Sequence, residues 1–154
     1  MDSIDWAIVR ALQDDARITN RELAARLHVS PSTSSERTRA LQATGVIDGY
    51  HASIALGALG RHAQALVSVT VRPPTRQHIE DFRNWAADLP EVMAVFVVAG
   101  GSDFLLHIGV PDTDALCAFV IDRLTERPEV ADVNTSVVFE HLRRPVLEPL
   151  AVER

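Results

Sequence analysis

A chain of 154 residues suits one medium domain or two small ones and is long enough to bury a core. It is 47% apolar but lacks both a membrane-length run of about 18 apolar residues and a basic-then-apolar leader, and its one cysteine, Cys117, excludes an internal disulfide and a cysteine-cluster zinc site; this describes a cytoplasmic protein with no membrane partner. The net charge of −6 argues against nucleic acid, yet up to Gly60 six arginines face seven acids, about −1, so the acid excess belongs to the other half.

The first element is a helix from Asp2 to Asp14, capped by Asp2 or Ser3, whose Ile4, Ala7, Ile8, Ala11 and Leu12 recur at three and four and form one apolar stripe. Asp15 to Ile18 link it onward, with Ile18 placed to staple onto Leu23. Thr19 and Glu22 have capping-box spacing, so a second helix starts there with Leu23, Ala24 and Leu27 on one face. Periodicity stops at His28. Ser30 is then a good N-cap and Pro31 fits the first helical position, so a third helix, Pro31 to Ala43, follows within three or four residues. So short a connection sets a steep crossing, the geometry of a helix-turn-helix. The third helix carries Ser32, Thr33, Ser34, Ser35, Arg37, Thr38 and Arg39, hydroxyl and guanidinium donors suited to phosphates and base edges. Thr44-Gly45 ends it, and Val46 to Tyr50 read as strand, turn and strand start, a wing.

Residues 51–62 read as a linker with a strand and a turn. Ala63 to Arg72 alternates Ala65, Val67, Val69 and Val71 against Gln64, Leu66, Ser68 and Thr70, a strand with one buried face. A helix over Thr75 to Leu89, a strand over Glu91 to Ala99, a turn at Gly100-Gly101-Ser102, a strand over Asp103 to Val110, a helix through Leu116, Phe119, Val120 and Leu124, and a last strand over Val130 to Leu142 complete the order. Cys117 reads as a packed structural thiol. Strand, helix, strand, strand, helix, strand is a split βαβ repeat: a four-stranded antiparallel sheet with both helices on one face. Its other face reads as apolar and therefore covered by a second copy.

ITNRELAARLHVS followed by SPSTSSERTRALQATGVIDGY resembles the winged helix-turn-helix of the Lrp/AsnC (feast/famine) regulators, and VVAGGSDFLLHIGVPD with ADVNTSVVFEH resembles their ligand-responsive RAM domain. The resemblance covers Asp2 to about Pro145. It departs at His28, where the family often has Gly, at Ser34 and Thr38, where it has apolar core residues, and at Ser102. The expected class is α+β: a winged helix-turn-helix at 1–50, a linker at 51–62, a ferredoxin-like dimerisation and effector domain at 63–145, and a tail at 146–154.

The resemblance implies a homo-oligomeric transcriptional regulator, a dimer or tetramer of dimers, bound to double-stranded DNA at the nucleoid. Its DNA contacts are expected from Ser32, Thr33, Ser35, Arg37 and Arg39, with Tyr50 of the wing along the backbone; Arg37 has rival partners in Glu36 or an acid of the first helix. The two glycines at Gly100 and Gly101 let amides approach a ligand carboxylate, and Asp103 suits an ammonium, so the loop with Ser102 fits an α-amino acid. The resemblance adds Asn134, Thr135 and Ser136 of the last strand. No catalytic, metal or cofactor residue is expected: the six histidines lack HxxH or HExxH spacing, and neither phosphate-loop nor GxGxxG motif occurs. A competing enzyme reading, by likeness to decarboxylases of haem precursors, has only His107, His141 and Arg143 to draw on. An effector-binding module with weak DNA affinity is the third reading.

Overall fold

The computed structural model describes residues 1–150. They form two compact units: Met1–Ser53 with the chain from Leu142 onward, and Ile54–His141. None of their helices is long and apolar enough to cross a membrane.

In the first unit α1 spans Ser3–Asp14, α2 Asn20–Arg26 and α3 Pro31–Ala43. Asp2 caps α1 by accepting from the amides of Ile4 and Asp5, and Asp5 returns a carboxylate to the Asp2 amide at 3.0 Å, a capping box the spacing analysis did not anticipate. The expected box at Thr19 and Glu22 is present, and Ser30 accepts from the Thr33 amide at 3.1 Å. His28 takes φ 54°, the left-handed conformation that a glycine would adopt at less cost. Ile8, Ala11, Leu23 and Leu41 make the core, joined by Ile4, Val9, Leu12, Ile18, Leu27 and Ile47.

Beyond α3 the structure corrects the strands expected of the wing. Gly45 is left-handed, its amide bonds Gln42 O, and the Val46 amide bonds Leu41 O at 2.9 Å, a Schellman ending. Ile47 N also donates to Leu41 O at 3.1 Å. The helix cap takes the Val46 and Ile47 amides, and Val46 to Tyr50 run without strand pairing. The linker likewise holds a 3₁₀ turn, Leu56–Leu59, in place of the expected strand.

The second unit is a sheet of order β2-β3-β1-β4, all neighbours antiparallel: β1 Ala63–Val71, β2 Val92–Val97, β3 Phe104–Val110 and β4 Val130–Val138. α4 (Arg76–Ala87) and α5 (Thr113–Phe119) pack Phe82, Ala86, Leu116 and Phe119, with Leu89 just past the end of α4, on the face bearing Val67, Val69, Phe104 and Leu106. After α5 the chain widens into a π-helical turn, Val120–Thr125. The five-residue step from Phe119 to Leu124 explains it: a wider turn keeps both side chains on the sheet, where Leu124 is fully buried. Cys117, expected to be packed, is exposed, because Leu116 and Phe119 take the inward positions and rotate it outward.

The uncovered face is less apolar than expected. Leu66, Leu105 and Phe96 share it with Gln64, Ser68, Asn134 and Ser136, since cross-strand partners of the outward β1 positions are half polar. β4 ends at Val138 rather than Leu142 and leaves Phe139 97% exposed. The expected tail is not a free end: residues 142–150 belong to the first unit, and 151–154 lie outside the described residues.

Candidate nucleic-acid interface

One side of α3 is buried and the other is open. Ser34 and Leu41 are buried, and Thr38, between them, folds its hydroxyl back to the Ser34 carbonyl at 2.8 Å. Ser34 makes no such bond; its buried hydroxyl oxygen has no partner among the described residues. At the helix start Ser30 Oγ lies 2.8 Å from both Ser32 Oγ and Thr33 Oγ1, a hydroxyl cluster at the positive end of the dipole, and Asn20 Nδ2 donates to Pro31 O at 2.8 Å. Asn20 is the residue that sequence reasoning missed: as the first residue of α2 it ties the two helix starts together.

Ser35, Arg39 and Tyr50 converge on one hollow of about 330 Å³, with Gln42 donating to the Tyr50 hydroxyl at 3.2 Å. Arg39 is exposed and forms no ion pair among the described residues; the same holds for Arg21 of α2. Arg37 departs from the expected group. Its Nη1 lies 2.6 Å from Asp2 Oδ2 and 2.9 Å from Asp5 Oδ1, so it joins α3 to the cap of α1 instead of standing free for phosphate. Its position explains this: three residues after Ser34 and four before Leu41, it lies on the packed side.

In the second unit Gly100 holds φ 139°, a region for glycine, and the amides of Gly100, Gly101 and Ser102 make no hydrogen bond among the described residues. Asp103 is already engaged: Oδ2 accepts from the Val71 amide at 2.8 Å and from Arg72 Nη1 at 3.2 Å. Asn134 pairs with Ser68, Thr135 with Val67 and Ser136 with Leu66, on the strand beyond β1. Two strand spacings, about 10 Å, therefore separate them from the loop. Within one chain the two halves of the expected effector site stand apart.

His107 and His141 meet edge to face, ring centroids 5.6 Å apart, with Gln64 Oε1 3.0 Å from His107 Nε2. Burial, and then the neighbouring His141, lower the pKa of His107. Arg143, the third member of the enzyme reading, belongs to the first unit. No group of three or more His, Cys, Asp or Glu among the described residues is arranged to hold a metal.

Residues 1–48 match the family model of a winged helix-turn-helix DNA-binding domain, and residues 64–146 that of the Lrp/AsnC ligand-binding domain. The chain belongs to the Lrp/AsnC family. It is 43% identical over 143 residues, 93% of this chain and 84% of that protein, to the transcriptional regulator AldR of Mycolicibacterium smegmatis. It is 33% identical to the leucine-responsive regulatory protein of Escherichia coli, over 94% of this chain and 88% of the other. Among solved structures, a Neisseria meningitidis transcriptional regulator in complex with L-methionine superimposes with a TM-score of 0.87 at 30% identity, covering 94% and 93% of the two chains. This Lrp/AsnC chain is a DNA-binding transcriptional regulator with a ligand-binding module.

Acid should destabilise the reading unit of this Lrp/AsnC regulator. The Asp2 carboxyl is held below its ordinary value by the Asp5 amide and then by Arg37, and the Glu22 carboxyl by the Thr19 hydroxyl and amide. Folded values below unfolded ones mean that the contribution is complete above the ordinary carboxylate range and is lost as pH falls through and below it. With Trp85→Phe in place, Trp6 of α1 is the remaining tryptophan, and its emission should change below about pH 4.5, the ordinary value of Glu22.

Proposed function

We propose that this regulator acts as a homo-oligomer, a dimer or tetramer of dimers, that presents paired α3 helices to double-stranded DNA in the cytoplasm and is modulated by a small amino acid. One observation carries the DNA reading: the open side of α3 sets Ser35 and Arg39, which has no ion pair among the described residues, beside Tyr50, while Ser32 and Thr33 stand at its start. Two-fold pairing favours half-sites roughly 34 Å apart or a multiple of that. The exposed Phe96 on the uncovered face, with the exposed Phe139 just past β4, supports a sheet face that a second copy covers, and avidity then offsets a near-neutral reader. The amides of Gly100 to Ser102, unbonded among the described residues, support carboxylate recognition, with Asn134, Thr135 and Ser136 supplied by another copy.

A gel-shift with DNA from beside its own gene, repeated with each amino acid, tests the whole reading; no specific shift under any condition would sink it. Arg39→Ala should weaken binding to every sequence alike and reduce the log–log salt slope by about 1. Arg37→Ala should instead leave that slope unchanged, because its guanidinium is held by Asp2 and Asp5. The enzyme reading keeps one supporting observation, the His107–His141 pair in an apolar hollow of about 650 Å³ with Phe96 and Phe139. A porphyrin titration separates the two: a Soret shift lost on His107→Ala favours chemistry, and its absence favours binding alone.

A further inference from the structure

Residues 143–149 serve neither the reading helix nor the sheet, yet they are seated on α1. Gln13 grips the backbone of Leu147 at both groups: its Nε2 donates to Leu147 O at 3.1 Å, and its Oε1 accepts from Leu147 N at 2.9 Å. Val146 is the only residue between 141 and 150 that is not exposed; it lines a hollow together with Ala7, Arg10, Ala11, Asp14, Arg26 and Leu27. Arg10 meets Glu148 at 3.2 Å, an exposed pair that adds little by itself. The sequence RPVLEP suits this role. Pro145 and Pro149 restrict the segment to extended conformations before it docks, and Leu147, between them, keeps the N–H that Gln13 needs.

We infer that residues 143–149 are a docked strap, an integral part of the DNA-reading unit that ties α1 to the end of β4. The unit then has two covalent connections to the sheet, at Ser53–Ile54 and at His141–Leu142. The second leaves from the strand that carries Asn134, Thr135 and Ser136, so a displacement of β4 reaches α1 without passing through the linker. The proposed function enters this inference only through the DNA measurement below.

Amide exchange on the full chain tests it. The Leu147 amide should exchange about tenfold or more slowly than in a free peptide. Gln13→Ala and Val146→Asp should each return it to the free rate and speed exchange along α1. A chain ended after Pro145 should show the same faster exchange along α1. Each should weaken DNA affinity about three- to tenfold at fixed salt, with subunit association unchanged. A Leu147 amide already at the free rate in the wild-type chain, or α1 exchange indifferent to Val146→Asp, overturns the strap. A wild-type chain that protects Leu147 but binds no DNA supports the strap and overturns the proposed function instead.

Discussion

Leu41→Ala should abolish DNA binding while the sheet unit stays folded and associated. Leu41 is 5% exposed and packs with Ile8, Ala11 and Leu23 in a core that contains few other fully buried large side chains. Removing a buried leucine costs roughly 2–5 kcal/mol, and a unit this small has a total stability of only about 3–8 kcal/mol. The loss therefore takes most of what holds α3 in place. The second unit has its own core around Phe82, Phe104 and Leu106 and shares none of this packing. Two melting transitions, the lower one moved down in the variant, with an unchanged mass by light scattering, would agree with this. Normal DNA affinity in Leu41→Ala would mean that α3 is not the reading element or is not held by this core.

Ser34→Ala should work in the opposite direction. The Ser34 hydroxyl is fully buried and lacks a partner among the described residues, whereas Thr38, one turn on, satisfies its hydroxyl on the Ser34 carbonyl. An unsatisfied buried polar group costs on the order of 1–3 kcal/mol, and alanine removes it while leaving that carbonyl bond intact. In a domain of this size 1 kcal/mol moves the melting temperature by roughly 4–8 °C, so the gain is measurable in the lower transition. DNA affinity should not fall, because the side chain points into the core. A lower melting temperature would show that a water bonds the hydroxyl between α1 and α3.

The parts legible in the sequence were those written in local chemistry. Thr19 with Glu22, Ser30 with Pro31, and Gly45 each act within one helical turn, and all three stand where their spacing put them. The alternation of Ala65, Val67, Val69 and Val71 marked a buried strand face for the same reason. What escaped depends on competition between partners. Arg37 stands between phosphate and an acid of the first helix, and its spacing from Ser34 and Leu41 decides for Asp2 and Asp5. Val46 and Ile47 have strand-forming side chains, yet Leu41 O takes their amides first. Asp103 fits an ammonium, but Val71 and Arg72 reach it within the chain. Residues 146–150 read as part of a tail because Gln13, which holds Leu147, lies 134 positions away.

Cys117 lies exposed on α5, turned outward from the core that Leu116 and Phe119 enter. As the sole thiol it lets one nitroxide be attached per polypeptide without touching the reading helix or the glycine loop. Dipolar spectroscopy on such a labelled sample then counts protomers directly: a two-fold pair yields one separation, and a ring of pairs yields a set of them.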